Sequence, residues 1–219
     1  MSNIAGKAYA MNVLTPIKPS RTWIQLIIFM AARALPATLA GLLGLKLIHF
    51  ARWVIIKRKQ WPDLGQGRPK LRHDYMLFLS NFNGTWDQYI DAFSDGIPAG
   101  LDLFWYTSIK YPHSIPISTF KDYITANQIS TNYYYNATPG AAQRDIKAAL
   151  RVREAVLELE AIHKKGDAAA FAVAWKDAIN KLGNSLASPG FAPIASLAAQ
   201  NSDAARDQFI DHLRNKGGQ

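Results

Sequence analysis

The chain has 219 residues, 49% hydrophobic and 19% charged, which excludes a mainly disordered polymer and leaves room for one core with extensions. It has no cysteine, so disulfides, thiolate zinc sites, iron–sulfur clusters and cysteine nucleophiles are excluded. The net charge of +9 is unevenly spread: residues 1–72 carry twelve Lys and Arg against the single acid Asp63, and residues 73–219 carry thirteen against fifteen acids.

Residues 1–22, with Pro16 and Pro19, read as an irregular N-terminal arm. Residues 23–45, WIQLIIFMAARALPATLAGLLGL, are apolar with Arg33 as their only charge. At about 1.5 Å per residue such a helix can cross about 30 Å of hydrocarbon. Arg33 at mid-segment costs roughly 2.5–3.5 kcal/mol on insertion scales, which the Leu, Ile and Phe residues at about 0.3–0.6 kcal/mol each bring close to balance. Three readings compete: a kinked helix inserted in or lying on a membrane, a buried helix of a soluble domain, and a cleaved signal peptide. Trp23 at one end and the flanking cations favour the first, a membrane-associated segment.

Leu47–Ile56 is rich in β-branched and aromatic residues and reads as a strand, followed by a Pro- and Gly-rich loop over 62–72. Tyr75–Phe82 is a second strand, apolar on both alternating faces, so both sides of its sheet are expected to be covered. Asn83-Gly84-Thr85 gives a turn and an N-cap for a helix carrying Trp86, Tyr89, Ile90 and Phe93. Residues 96–121 read as irregular, Phe120–Gln128 as a short helix and Thr131–Ala137 as a strand. A long helix is expected from Thr138-Pro139 to Lys164-Lys165-Gly166. Its apolar stripe is Ala142, Ile146, Ala149, Leu150 and Leu157; Arg144, Lys147, Arg151, Glu154 and Glu158 form the solvated side. A weaker helix follows at Asp167–Leu182, then an Ala- and Ser-rich tail with a short helix around Asp203–Arg214.

This order is α+β, and a ferredoxin-like antiparallel sheet with helices on one face is the simplest match. The segments IHFARWVII, MLFLSNFNGTWDQYIDAF and NYYYNATPGAAQRDIKAALRVR are similar to ferredoxin-like (dimeric α/β barrel) modules related to dye-decolorizing peroxidases. The resemblance covers about half of the chain. It implies a four-stranded antiparallel sheet, helices on one face and a second module or protomer on the other. The haem chemistry of those enzymes needs an axial His and a distal Gly-x-x-Asp-Gly loop. Here Gly84-Thr85-Trp86-Asp87 is followed by Gln88, at a helix start where Asp87 reads as a first-turn carboxylate. His163 and His212 lack a supporting acid at an informative position. The fold is carried over and the activity is not.

No catalytic residue is assigned. The five histidines have no metal-ligand spacing, and no phosphate loop or Gly-x-Ser-x-Gly elbow occurs. Asp87, Asp91 and Asp95 follow a single helix face and read as solvated. His49 and Arg52 are expected on opposite faces of their strand; with Asp87 and Tyr134 they are the candidate ligand or partner contacts. The basic cluster Lys57-Arg58-Lys59, with Arg68, Lys70 and Arg72 beyond it, joins Trp23 and Arg33 as candidate membrane-binding residues. Cations beside an apolar segment mark the cytoplasmic side and attract anionic lipid, at about 1 kcal/mol each; nucleic acid fits this arrangement less well. The expected organisation is an arm (1–22), a membrane-associated segment (23–45), a ferredoxin-like domain (46–165) and a helical extension (166–219). The expected role is a non-catalytic accessory or scaffolding subunit docked on a membrane-embedded complex, with no cofactor and no metal. The alternative is a membrane-bound peroxidase-like enzyme that binds haem or an oxidised lipid.

Overall fold

Strict alternation over Ala8–Ile17 places Tyr9, Met11, Val13, Thr15 and Ile17 on a single face, all buried, which is the pattern of a strand packed on one side by helices. The computed structural model describes residues 3–34 and 47–186, with isolated helical positions at 205, 208, 209, 212 and 215. Its elements are β1 (Ile4–Ala5), β2 (Ala8–Ile17), α1 (Thr22–Ala34), β3 (Ile48–Ile56), β4 (Asp74–Asn83), α2 (Trp86–Gly96), α3 (Pro98–Trp105), α4 (Ile117–Asn127), β5 (Gln128–Ile129), α5 (Gln143–His163) and α6 (Ala168–Leu182). The protein is α+β, with an antiparallel sheet and packed helices.

The strand order is β1-β2-β4-β3, with β5 also on the free side of β2. The expected irregular arm therefore contains the central strand, which pairs with β4 from Ala8↔Asn83 to Ile17↔Asp74. β2 and β3 are both antiparallel to β4, so they run parallel to each other with β4 between them. The chain between them includes α1.

The helices α1 to α4 pack on one sheet face. Phe78 and Phe82 of β4 meet Tyr89 and Phe93 of α2, Phe104 and Trp105 of α3, and Phe120 and Ile124 of α4 in a single core cluster. The face is heavily aromatic: Phe82 stacks on Tyr89 at 3.8 Å and Trp53 on Phe104 at 4.7 Å. Tyr89 donates to Ser80 Oγ at 2.7 Å, and Trp86 Nε1 donates to Gln128 Oε1 at 2.8 Å, so these buried polar tips are satisfied.

The first half of the expected membrane-associated segment, residues 23–34, lies in α1, and the described residues do not support a membrane helix there. α1 is described over 13 residues, Thr22–Ala34, and no helix among the described residues is long and apolar enough to cross a membrane. Gln25, a blemish in a membrane span, is fully buried here. Its amide donates to Phe104 O at 2.9 Å and accepts from Thr107 Oγ1 at 2.6 Å. Phe29 packs on Phe104 and Trp53. These contacts make α1 a helix of the domain. Residues 35–46, the second half of the apolar segment, lie outside the described residues, as does most of the expected helix at 203–214.

Three further expectations change. Residues 98–105 are helical where an irregular segment was expected, because Pro98 occupies the first turn and Leu101, Phe104 and Trp105 all point inward. The strand expected at Thr131–Ala137 is replaced by the two-residue β5. The segment beyond it is tied by side chains instead: Asn12 Nδ2 donates to Thr131 Oγ1, and Asn136 Nδ2 to Ala5 O. The long helix starts at Gln143 rather than at Thr138. Pro139 O is occupied by Lys7 N at 2.9 Å, and Asp145 Oδ2 accepts from Ala142 N and Lys7 Nζ. That hydrogen bond from Ala142 N, helped by Lys7, holds the Asp145 carboxyl below its usual range. Gly6 has a positive φ and its Cα faces the Pro139 backbone so closely that no Cβ would fit.

The α2 start is as expected, with a capping box between Thr85 and Gln88. Thr85→Ala is expected to cost about 1 kcal/mol, read as a lower midpoint in urea denaturation with an unchanged slope.

A candidate membrane-facing edge and an open sheet face

Asp74, at the first position of β4, is buried, and its carboxylate holds two segments together. Oδ2 accepts from Thr22 Oγ1 at 2.6 Å, and Oδ1 accepts from Arg58 N at 2.8 Å. The start of α1 and the end of β3 therefore meet at one end of the sheet. The Arg58 guanidinium reaches Arg72 O at 3.4 Å across the base of the loop between β3 and β4. Within that loop Asp63 Oδ1 accepts from Gly65 N and Gly67 N, a local turn that presents Leu64, 90% exposed, at its tip.

This end of the molecule gathers Lys18, Arg21, Lys57, Arg58, Lys59, Arg68, Lys70 and Arg72, with Asp63 and the buried Asp74 as acids among them. Beside them Trp23 is 60% exposed in the first turn of α1, and Trp61 is partly exposed. Ile27 and Met30 continue an exposed apolar stripe along the outer side of α1. The structure thus brings together four of the five candidate membrane-binding residues, Trp23, Lys57, Arg58 and Lys59. Arg33 is not among them. It is exposed, ten residues along α1 from Trp23. Asp74→Ala is expected to cost about 2–3 kcal/mol, because it leaves Thr22 Oγ1 and Arg58 N without their acceptor; thermal unfolding checks it.

Among the described residues the second sheet face is uncovered over much of its area. Registered rows cross it as Leu14–Leu77–Val54, Asn12–Leu79–Arg52 and Ala10–Asn81–Phe50. Phe50 is 73% exposed, Val54 is also exposed, and Leu14, Leu77 and Leu79 are half-buried. Among the described residues the expectation that both faces of β4 are covered therefore holds for the helical face alone. Arg52 lies exposed among these apolar rows. Tyr134 reaches the same face, where its hydroxyl accepts from Asn81 Nδ2 at 2.8 Å. Ala8 and Ala10 at that end are buried.

His49 and Asp87 belong to neither surface. The ladder runs Ile48↔Phe82 and then Phe50↔Asn81, so His49 is the extra residue of a bulge and simple alternation does not set its direction. Its imidazole lies beside Asn83, and burial lowers its pKa. Asp87 shares Lys121 of α4 with Asp91, at 3.0 and 2.7 Å, which ties α2 to α4. The Gly84–Asp87 segment is the capped start of α2, and the space between sheet and helices is filled by aromatic side chains. Among the described residues no group of His, Asp and Glu is arranged to hold a metal ion.

Fold and surfaces together define an α+β domain with one basic, aromatic-tipped edge and one open apolar sheet face. Comparison with family models, curated proteins and solved structures finds no match for the chain.

Proposed function

We propose that the protein is a non-catalytic accessory subunit that works at an anionic, cytoplasmic membrane surface, docked on a membrane-embedded assembly. The observation that carries this reading is the Asp74 junction, which sets the basic β3–β4 loop beside the exposed start of α1. A surface of cations around exposed Trp and Leu side chains suits lipid headgroups, with charge for attraction and rings for the interface. Attachment on this reading is peripheral through the described residues, because α1 is committed to the domain core.

The strand order supports assigning the finer fold as ferredoxin-like: β5-β2-β4-β3 is a split βαβ arrangement with the first long strand between the third and the last. The resemblance to modules of the dimeric α/β barrel type is kept as part of this proposal. The open rows around Leu77 and Phe50 then provide the face on which another subunit sits.

Co-sedimentation of the full-length chain with vesicles tests the membrane reading. Binding is expected with phosphatidylcholine containing phosphatidylserine and not with phosphatidylcholine alone. It should fall as salt rises from about 0.1 M to about 1 M, where the screening length shrinks from about 10 to about 3 Å. Equal binding to both vesicle types, or none to either, overturns it. Recovery of the protein with other membrane subunits after detergent solubilisation tests the accessory role; recovery alone overturns that part.

A further inference from the structure

The open face of the sheet is a bounded patch. From the row Ala10–Asn81–Phe50 to the row Pro16–Tyr75–Ile56 it runs about 20 Å, at about 3.4 Å per residue, and from β2 to β3 it spans about 10 Å. Toward β5 it stops at Tyr134, which is bonded to Asn81, and Ala8 and Ala10 are already buried there. These dimensions match one helix of about 14 residues with its side chains.

Among the described residues a single charge stands in this patch. Arg52 is exposed in the row Asn12–Leu79–Arg52, between Phe50 and Val54 of its own strand. The ion pairs among the described residues are made by Lys7, His113, Lys121 and Lys164, and none by Arg52. A purely apolar cover would bury this guanidinium unpaired, which is strongly unfavourable. Tyr134 adds a second donor, because its oxygen accepts from Asn81 Nδ2 and its own proton is left to give. The occupant must therefore bring an acceptor into the middle of an apolar surface.

The chain is poorly suited to supply that acceptor. The open rows hold no Asp or Glu, so a second copy laid face to face would set Arg52 against leucine or another Arg52. Residues 35–46, between α1 and β3, hold no acid either. In residues 187–219 the acids Asp203, Asp207 and Asp211 are matched by Arg206, Arg214 and Lys216, so that segment brings no net charge.

We propose that the open sheet face docks one amphipathic helix of a partner subunit, whose apolar side carries a carboxylate opposite Arg52. The proposal rests on the accessory-subunit reading and names the chemistry of its contact. A helix laid here repeats, on the second face, the layer that α1 to α4 form on the first. Its apolar side chains cover Leu14, Leu77, Leu79 and Val54, while one Asp or Glu takes the guanidinium in a two-pronged pair. That pair fixes the register, since sliding the helix by one turn, about 5.4 Å, leaves both charges buried and unpaired.

Fluorescence anisotropy with the full-length chain tests this. The probe is a labelled helical peptide of about 18 residues, with Leu along one side, one central Glu among the leucines, and Gln and Ala elsewhere. A Kd of about 10–100 μM is expected. Replacing the Glu by Gln should weaken binding about 10-fold, and replacing it by Lys should weaken it further. Arg52→Glu should reverse the order, so that the Lys peptide binds best. Arg52→Gln, the milder change, should bring the Glu and Gln peptides level, and circular dichroism melting confirms that each variant is folded. Absence of binding by the Glu peptide overturns the proposal, as does an unchanged order on Arg52→Glu. Each rival occupant also overturns it, by its own signature. A dimer that Val54→Asp breaks puts a second copy on the face. An intrachain disulfide in the double variant Val54→Cys/Phe209→Cys puts the C-terminal segment there. Loss of anionic-vesicle binding on Arg52→Glu puts lipid there. If membrane subunits co-purify and the peptide order fails, the accessory reading stands and this contact is wrong. If the order holds and the protein purifies alone, the helix-docking face stands and the membrane-assembly reading fails.

Discussion

Trp105→Ala is expected to lower stability by about 4 kcal/mol. Trp105 is 1% exposed and sits where three elements meet. Its ring contacts Phe78 edge-on at 5.0 Å and approaches Trp53 at 6.1 Å. It also lines a small apolar cavity with Met11, Leu101 and Phe120. Truncation enlarges a space that already exists between a sheet and three helices, and rigid aromatic neighbours cannot collapse into it. Trp105→Phe should cost far less, about 1 kcal/mol. The Trp105 indole N–H is buried and has no partner among the described residues, so replacing it removes an unsatisfied donor together with the lost contact area. Urea denaturation of the two variants separates these contributions. Equal costs would mean that loss of the N–H, which both variants share, decides the stability and that the ring's contact area does not.

Much of the sheet was legible because its signals are local. β3 is placed almost to the residue by its β-branched run, and α2 by Thr85, whose capping chemistry needs no tertiary context. β2 was missed for the opposite reason. Pro16, Pro19, Lys18 and Arg21 surround it with turn-like residues, and its alternation of Tyr9, Met11, Val13 and Thr15 with small or polar neighbours is weakly hydrophobic. It becomes a strand because β4 supplies ten paired positions. In α1, Gln25 and Arg33 look like defects in a membrane span. In the fold Gln25 is a buried link to α3 and Arg33 is exposed. Composition cannot distinguish a helix that is apolar all round for lipid from one that uses two faces in a protein. The basic edge was legible as a charge count, but its shape depends on Asp74, a single carboxylate that no motif flags. The outward turn of the α5 stripe, with Ile146, Leu150 and Leu157 all exposed, was also hidden, since both faces of that helix are apolar and only the presence of α6 selects between them.

Neutralising Lys57, Lys59, Arg68 and Lys70 together as Gln is expected to reduce binding to anionic vesicles by about 10³-fold, from about 1 kcal/mol per cation near the surface. Arg58 is left unchanged in this variant because its guanidinium holds Arg72 O, so replacing it would disturb the loop as well as its charge. The chosen four are on or beside a solvated loop, and thermal stability should stay within about 0.5 kcal/mol of the parent. Salt separates charge from insertion. At about 1 M the parent and the quadruple variant should converge, since the charge contribution is screened, and whatever binding is left should depend on Trp23 and Leu64. Arg33→Gln is the internal control. Ten residues along α1 from Trp23, about 15 Å away, it lies at the far end of the helix and should bind as the parent does. If Arg33→Gln weakened binding as much as one loop cation, the lipid-facing surface would run along the whole of α1, and the Asp74 end would lose its special status. If the quadruple variant bound unchanged at low salt, the cations would be solubilising charge and the membrane reading would fail.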